Sequence, residues 1–247
     1  ETKAPLFVVH ITHNAMGRVS QWLQMIDDAN DAGANIATET LSYAAGGTSI
    51  SADVFRNRDW QGMFDITHED VQWVATGEWL TEETWNKYAR EQPGGAVNHH
   101  YVKEDWIETA LKWPRMMVAT DALPAVDLRV KTNPNVAGTF SRVLGHYVRD
   151  TGLLTLSDGL ARMSLYQAQW LSQSSSSFDK KGRIQLGADA DIVIFDPIKV
   201  QANAAYGDPY QPPSGIPYVV VAGQIVVKNS AVVDGVYPGK RILGDAK

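Results

Sequence analysis

PLFVVHITHNAMGRVSQWLQMIDDANDAGANIATETL, residues 5–41, decides the fold of this chain. Residues 6–11 form a short apolar run typical of a strand, and residues 17–32 repeat apolar side chains at helical spacing. Residues 35–41 then predict a second strand. A strand, a helix and a second strand at this spacing form a parallel unit whose crossover is right-handed. The stretch therefore predicts an α/β fold.

A third strand of the same sheet is predicted later, where residues 116–119 are followed by Asp121. Side chains at the carboxyl ends of parallel strands converge on one open face, which is where α/β barrels keep their chemistry. Asp121 is therefore the first candidate for a catalytic residue. The alternative is structural, because an Asp after a strand commonly caps a turn or a helix.

Composition narrows the partners and the kind of site. The 247 residues carry a formal net charge of -6 without a concentrated basic face, which argues against a nucleic-acid partner. No window reaches about 18 uninterrupted apolar residues, so no membrane span is predicted. There is no cysteine, so any metal must be held by histidines and carboxylates. These features favour a small-molecule substrate and leave the compartment, cytoplasm or periplasm, undecided.

The rest of the chain divides by composition. Residues 1–175 indicate an α/β part, within which about 46–112 is rich in Trp, Gly, Asp and Glu. Long insertions in compact folds are usually lids or binding loops, so we expect an inserted subdomain or lid there. Residues 176–247 follow as a small β module, in which residues 182–196 and 218–227 predict two strand pairs.

Two histidines are candidate metal ligands. In VVHITH we place His10 inside the first strand and His13 at its end, so His13 is better placed to reach a site beyond the strand tip. Imidazole and carboxylate are ligands of catalytic zinc sites that keep one position open for water. A carboxylate such as Asp121 could accept the proton of that water. A lone histidine near a strand end is more often structural, which is the alternative.

Candidate substrate-binding residues follow the second strand and lie in the insertion. Tyr43 and the small-residue turn that ends at Thr48 could shape a pocket by close backbone approach, although turn structure alone explains them equally well. The side chains of His99 and His100, adjacent on a strand, face opposite ways, so at most one of them reaches a site. We take His100 as that candidate, and the alternative is an exposed pair at the edge of the insertion.

Several motifs together resemble a known family. In chain order they are VVHITH, ETLSYAAGGTS, WLTEETWNKYAREQPGG, MMVATDALP, NPNVAGTFSRVLGHYVRD, LTLSDGLARMS, KGRIQLGADADIVIFDP and VVVAGQIVVKNSAVVDGVYPGKRI. Over essentially the whole chain, this series resembles the D-aminoacylase and N-acyl-D-amino-acid deacylase branch of the amidohydrolase superfamily. The resemblance implies the C-terminal part, strands 6–8, of a (β/α)8 TIM-type barrel, followed by part of a small β-sandwich domain.

The resemblance also implies chemistry. Barrels of this family bind one or two divalent metal ions, generally zinc. His13 then falls at strand 6 as a metal ligand, with His10 less favoured, and Asp121 falls at strand 8 as metal ligand, general base and proton donor. The implied activity is hydrolysis of the C–N amide bond of an N-acyl-D-amino acid or a related small amide. The alternatives are a cyclic amide hydrolase similar to hydantoinase or dihydroorotase, and a non-catalytic binding or scaffold protein.

The sequence also departs from the family pattern. The family's His-Pro-Arg after the strand-8 Asp reads Asn133-Pro134-Asn135, so a basic substrate contact is lost or moved to Arg129 or Lys131. The usual Tyr-Pro-Tyr after strand 7 reads Leu41-Ser42-Tyr43. By this resemblance, strands 1–5 and the remaining metal ligands lie outside this sequence. We therefore expect a complementary N-terminal half or subunit as a partner, and a higher oligomer stays open.

Overall fold

The computed structural model describes residues 4–56, 58–122 and 127–245. The strands are β1 (Leu6–Val8), β2 (Ile36–Thr40), β3 (Gly46–Ser49), β4 (Val71–Trp73), β5 (Ala96–His99), β6 (Met117–Val118), β7 (Ile192–Ile194), β8 (Tyr218–Val221), β9 (Gln224–Lys228) and β10 (Ala231–Val232). The α-helices are α1 (Ile11–Ala15), α2 (Val19–Asp31), α3 (Asp53–Arg56), α4 (Trp60–Phe64), α5 (Glu82–Glu91), α6 (Glu104–Lys112), α7 (Asn135–Arg142), α8 (Leu156–Leu160) and α9 (Tyr166–Leu171). Short 3-10 helices cover Met16–Arg18, His68–Asp70 and Ser176–Lys180, and π-helical turns over Val143–Asp150 and Ala161–Leu165 continue α7 and α8. No helix in these ranges is long and apolar enough to cross a membrane.

A parallel sheet with the order β1-β2-β6 contains the three predicted strands. α2 makes the crossover from β1 to β2 and buries Val19, Leu23 and Ile26, which belong to the stripe that the helical spacing predicts. α6 packs against α2 and β2. Residues 104–112 therefore pack with the parallel sheet, although they fall within the stretch predicted as an insertion.

The first strand is shorter than predicted. It ends at Val8, and His10 adopts a left-handed backbone (φ 54°, ψ 50°) at the start of α1. The backbone N–H of His10 donates to the carboxylate of Glu39, which holds this turn. The prediction that His10 lies inside the strand is therefore wrong. His13 lies in a short helix rather than at a strand tip.

Residues 46–99 form an antiparallel sheet with the order β3-β5-β4. One face of it packs on an aromatic cluster, in which Phe55 lies edge-on to Trp60 and Trp85 with ring centres 5.5 and 5.1 Å away. α5 begins after Thr81, whose hydroxyl accepts a hydrogen bond from the backbone N–H of Thr84 at 3.2 Å. β5 is the central strand, and its end lies beside the residues that follow β1 and β2.

The C-terminal strands form an antiparallel sheet with the order β10-β9-β8-β7. Residues 218–227 form the predicted hairpin, and Ala222 (φ 49°) and Gly223 (φ 80°) occupy its two-residue turn. Residues 182–196 do not form the predicted strand pair, because only β7 is extended and paired there. Ile184 and Leu186, which would have formed the partner strand, are 90% and 104% exposed.

A long connection between β7 and β8 returns to the parallel sheet. We call residues 201–214 the strap. Its two ends bond to each other, from Gln201 N to Ser214 O at 3.2 Å and from Ser214 N to Gln201 O at 3.0 Å. Ala204 within the strap is buried and accepts a hydrogen bond from the hydroxyl of Tyr43 at 3.0 Å. The strap therefore connects the β module to the residues that follow β2.

Candidate active site

Two adjoining cavities lie where β1, β2 and β6 end. The histidine cavity has a volume of about 240 Å³, and its walls include His10, His13, His99 and Tyr101. The lysine cavity has a volume of about 530 Å³, and its walls include Asn98, Lys131 and Tyr210. Both cavities are also lined by a shared wall of Gly47, Thr48, Asp121 and Asn133.

Asp121 stands on this shared wall, shortly after the end of β6. Its backbone is left-handed (φ 48°), a conformation that is uncommon for residues other than glycine and in which aspartate is enriched. Its Oδ1 lies 3.5 Å from Nε2 of His10, and 53% of its side chain is exposed. The structure thus places the predicted carboxylate beyond the third parallel strand, where a ligand can reach it.

His10 lies between two carboxylates. Its Nδ1 is 2.7 Å from Oε1 of Glu39, and its Nε2 faces Asp121. Hydrogen bonding to Glu39 is the largest influence and raises the pKa of His10, burial of the ring opposes this rise, and the charges of Glu39 and Asp121 add to it. Glu39 is only 2% exposed. A buried carboxylate from β2 therefore orients His10 toward Asp121.

Sequence reasoning did not single out Glu39. This residue stands in β2 between Thr38 and Thr40, which are both fully buried. A carboxylate in a strand covered on both faces must find a partner, because an unpaired buried charge is costly. That requirement is the signal by which the sequence could have indicated Glu39.

His13 is buried in α1, with 9% of the residue exposed. Its Nδ1 lies 3.1 Å from the hydroxyl of Thr12, and its Nε2 has no hydrogen-bond partner among the described residues. Burial lowers the pKa of His13 to about 4. The ring is therefore neutral near pH 7, which is the form in which imidazole binds a metal ion.

The described residues hold a share of the donors that a divalent metal needs. Nε2 of His13 is buried and unpaired there, and Asp121 offers a carboxylate in the same cavity. Within residues 4–56, 58–122 and 127–245, no group of three or more histidine, aspartate and glutamate side chains converges closely enough to hold a metal ion. A catalytic zinc site takes three protein ligands. The residues present therefore fit part of such a site and not a whole one.

His99 and His100 face opposite ways, and the member that reaches a cavity is His99. Its ring stacks on Tyr101 at 4.9 Å and packs so closely on Gly46 that a Cβ there would lie 2.5 Å from its Cε1. Burial lowers the pKa of His99 to about 4. His100, the predicted candidate, packs instead on Tyr206 at 4.5 Å and borders neither of the two cavities.

Of the two residues after β2 that were predicted to shape the pocket, Tyr43 and Thr48, only Thr48 lines a cavity described above. Thr48 lies on the shared wall, whereas Tyr43 borders neither of the two cavities. Tyr43 is 8% exposed, and the guanidinium of Arg142 lies 5.2 Å from its ring centre. Gly138 in α7 makes room for it, because a Cβ there would lie 2.0 Å from the Tyr43 hydroxyl. Tyr43 therefore packs against α7 and the strap, outside the two cavities.

The two basic candidates after β6 differ in what they contact. The Arg129 side chain is 90% exposed, and it donates from Nε to Oδ1 of Asp127 at 2.9 Å and from Nη2 to Oδ2 at 2.7 Å. These hydrogen bonds lower the pKa of Asp127. Lys131 instead lines the lysine cavity. Of the two alternatives that the sequence left open, Lys131 is the one that borders a cavity.

Comparison with known proteins gives consistent matches. The sequence matches the model of the amidohydrolase family over residues 8–227. It is 29% identical over 245 residues to D-aminoacylase from Alcaligenes xylosoxydans xylosoxydans. This alignment covers 94% of this chain and 47% of that protein. A D-aminoacylase structure with a binuclear metal centre matches with a TM-score of 0.77 and 25% identity, over 97% of this chain and 50% of the other. N-acyl-D-glutamate deacylase from Bordetella bronchiseptica, in complex with zinc and a phosphonate inhibitor, matches with a TM-score of 0.74 and 29% identity, over 91% of this chain and 47% of the other.

The chain spans about half the length of these relatives. Dihydropyrimidinase from Brevibacillus agri is similar in fold alone, with a TM-score of 0.53 and 19% identity. The match to the family model covers most of the sequence and includes the residues that follow all three parallel strands. The chain belongs to the amidohydrolase family.

Proposed function

We propose that this chain is the C-terminal half of a metal-dependent amidohydrolase that hydrolyses the amide bond of an N-acyl-D-amino acid or a related small amide. One observation carries the proposal: Asp121 stands on the wall between two cavities, so its carboxylate can reach an amide whose two substituents occupy both. The names of the relatives, D-aminoacylase and N-acyl-D-glutamate deacylase, favour a substrate that contains a D-amino acid.

For the architecture, we propose that β1, β2 and β6 are strands 6–8 of a (β/α)8 barrel. Residues 1–175 would then form the C-terminal part of the barrel, with about 46–112 as an inserted lid. The order of the three parallel strands in the sheet follows their order in the chain, as in a singly wound barrel. Residues 176–247 would form part of a β-sandwich domain.

A complementary N-terminal half is the partner that this architecture requires. Barrels leave no open edge, whereas β1 and β6 each pair only with β2 among the described residues. Large apolar side chains near β1 and on the C-terminal sheet are exposed, including Leu6 (53%), Val9 (48%), Val193 (53%) and Ile194 (51%). These edges and faces fit a second half that carries five barrel strands and the remaining metal ligands.

The metal would be held on this chain by Nε2 of His13 and by Asp121, with His10 as the alternative ligand. When bound, one or two divalent ions such as zinc would activate water and polarise the amide carbonyl. Burial keeps His13 neutral against the opposing effect of the Ala45 backbone, and its buried Nε2 has no hydrogen-bond partner among the described residues. The histidine cavity is therefore the half-site of this chain for the metal.

Asp121 carries the proton in this proposal. Its carboxylate accepts a proton from the attacking water and returns it to the leaving nitrogen, so the C–N bond breaks to give a carboxylic acid and an amine. His10 positions the carboxylate from 3.5 Å, and Glu39 positions His10. This chain of contacts fixes Asp121 at the boundary of the two cavities.

The lysine cavity fits the amino-acid part of the substrate. Lys131 lies on its wall, and Asn98 and Asn133 add amide groups that can accept or donate hydrogen bonds. Arg129 is already paired with Asp127. Lys131 is therefore the side chain that we assign to the carboxylate of the substrate.

The test uses the assembled protein with its complementary half. Turnover is measured on N-acyl-D-amino acids, their L-enantiomers, hydantoins and dihydropyrimidines, and bound metal is quantified by elemental analysis. We expect turnover of the N-acyl-D-amino acids by a protein with stoichiometric metal. Turnover confined to the cyclic amides would support the hydantoinase-like alternative, and neither turnover nor bound metal would support a non-catalytic binding protein.

A further inference from the structure

The strap lies against both sides of the shared wall. The hydroxyl of Tyr206 accepts a hydrogen bond from the backbone N–H of Ala45 at 2.9 Å, next to Gly46 and Gly47 at the start of β3. The hydroxyl of Tyr210 donates to the backbone carbonyl of Val130 at 2.6 Å, next to Lys131. One segment of the β module therefore contacts the turn after β2 and the loop after β6.

The strap is cross-linked within itself. Ala205 and Asp208 exchange backbone hydrogen bonds at 3.0 and 3.1 Å around a turn in which Gly207 has a φ of 88°. Nδ2 of Asn203 donates to Pro212 O at 2.8 Å and to Oγ of Ser214 at 2.9 Å. These bonds hold the two tyrosines at a fixed separation, so a contact made by the strap can restrain the part it touches.

Tyr210 has two contacts with the lysine cavity. Its side chain forms part of the wall, and its hydroxyl bonds to the loop that supplies Lys131. That loop has its own turn, in which Val130 N donates to Asp127 O at 3.0 Å. Ordering a lysine costs backbone entropy as well as side-chain rotamer entropy. A fixed backbone at Val130 reduces the backbone part of this cost for Lys131, which lines the cavity.

We propose that Tyr210 is a positioning and specificity-determining residue, which holds the Val130–Lys131 backbone so that Lys131 binds an anionic group of the substrate in the lysine cavity. This inference rests on the proposed deacylase function. It makes the β module a contributor to substrate selection, in addition to the barrel. The chemical class concerned is an amide whose amine-side part carries a free carboxylate.

The test compares two substrates in the assembled, metal-loaded protein: an N-acyl-D-amino acid and its neutral C-terminal carboxamide. Tyr210→Phe keeps the ring on the wall and removes only the bond to Val130. We expect KM for the acid to rise about threefold, less than the full worth of one such hydrogen bond, because the bond lies within the protein and acts on the substrate only through Lys131. The value of kcat for the acid and both constants for the carboxamide should stay unchanged.

Tyr218→Phe is the matched control, because it removes a tyrosine hydroxyl of the same module that bonds to Oδ1 of Asn229 at 3.0 Å, away from both cavities. It should leave all constants unchanged. Lys131→Met should itself raise KM for the acid, and Tyr210→Phe should add little in that background, because both changes act on one contact. Hydrogen exchange of the amides of residues 129–131 should increase in Tyr210→Phe and not in Tyr218→Phe.

Two outcomes would overturn the inference alone. One is a wild-type protein active on the acid in which Tyr210→Phe behaves like Tyr218→Phe. The other is an equal loss for the acid and the carboxamide, which would make Tyr210 merely structural. A wild-type protein inactive on both substrates would overturn the proposed function together with this inference.

Discussion

The histidine cavity and the lysine cavity share Asp121 but differ in the parts of the chain that build them. The residues that line only the histidine cavity include His10, members of α1 and the end of β5. Packing holds His99 in place, and Glu39 holds His10. The lysine cavity is closed by the loop at Lys131 and by the strap. Loops vary more readily than the scaffold that positions them. Under the proposed function, the reaction would depend on the cavity whose histidines are held by packing and by Glu39, and the substrate preference on the cavity that loops build.

Asp121→Asn tests the wall that both cavities share and should have the largest effect. The substitution keeps the shape of a half-exposed side chain and removes the proton carrier and a metal-binding carboxylate, so we expect kcat to fall by about 10² to 10⁴ with the fold retained. Asp105→Asn, at an exposed carboxylate in the first turn of α6, is the control. Turnover by Asp121→Asn close to that of the wild type would remove this residue from the reaction.

Glu39→Gln tests whether the histidine cavity depends on its buried support. The amide keeps the size of the carboxylate and loses the charge that holds His10, so we expect kcat to fall by about tenfold to 100-fold, as for other residues that orient a reactive or metal-binding side chain. KM should change little, because Glu39 borders neither of the two cavities. A variant that loses affinity for substrate and keeps kcat would contradict the division between the cavities.

Lys131→Met and Arg129→Met form a matched pair on the lysine side. The first should raise KM for an N-acyl-D-amino acid by about tenfold, because a charge-assisted bond to the carboxylate is lost. The second should change KM by less than about twofold, since the Arg129 guanidinium is already bound to Asp127. Steady-state kinetics on both variants decide the question, and a reversed order of effects would give the substrate contact to Arg129.

His100→Phe tests the packing of His100 on Tyr206, which lies outside both cavities. It should have the smallest effect of these substitutions, and this effect should be on stability. Burial lowers the pKa of His100 to about 4 in the folded chain, well below the ordinary value of 6.5. As the pH falls, His100 is therefore protonated in the unfolded state before it is protonated in the folded state. The free energy of unfolding is unaffected by this residue above about pH 6.5 and decreases as the pH falls from there toward 4. Phenylalanine keeps the ring against Tyr206 and should reduce this decrease by on the order of 1 kcal/mol, a discounted value because the ring is partly exposed.

The measurement is thermal or denaturant unfolding of the assembled protein at several pH values from about 4 to about 7.5. This range includes the pKa of His100 in the folded chain, about 4, and its ordinary value of 6.5. His68→Phe is a suitable comparison, since His68 also packs on aromatic rings, at 5.2 Å from Trp60. Identical pH profiles for the wild type and His100→Phe would show that His100 does not contribute to acid sensitivity.

The sequence predicts the scaffold better than the contacts across it. Periodicity is a local property, so residues 5–41 predict both strands and the helix between them, and the carboxylate after the third strand follows from the same pattern. The left-handed turn at His10 could not be read in this way, because its hydrogen bond goes to Glu39, which lies 29 residues further along the chain. The choice between His99 and His100 depended on strand register, which neighbouring strands set.

The strap was missed for the same physical reason. Residues 201–214 contain the turn residues Gly, Pro and Asp, which predict a loop and nothing about where the loop packs. Tyr206 forms a hydrogen bond with Ala45, which is 161 residues away in the sequence. Tyr210 forms one with Val130, which is 80 residues away. Arg129 and Lys131 are equally basic in the sequence, and what separates them in the structure is the contact of Arg129 with Asp127 and the place of Lys131 on the wall of the lysine cavity.

The most direct test is an anomalous-scattering map at the zinc edge from crystals of the assembled protein with a phosphonate analogue of an N-acyl-D-amino acid. We expect a metal peak in the histidine cavity, within about 2.0–2.2 Å of Nε2 of His13 and of a carboxylate oxygen of Asp121. The carboxylate of the analogue should lie in the lysine cavity beside Lys131. A metal bound away from both residues, or an analogue bound outside both cavities, would contradict the assignment of chemistry to one cavity and selection to the other.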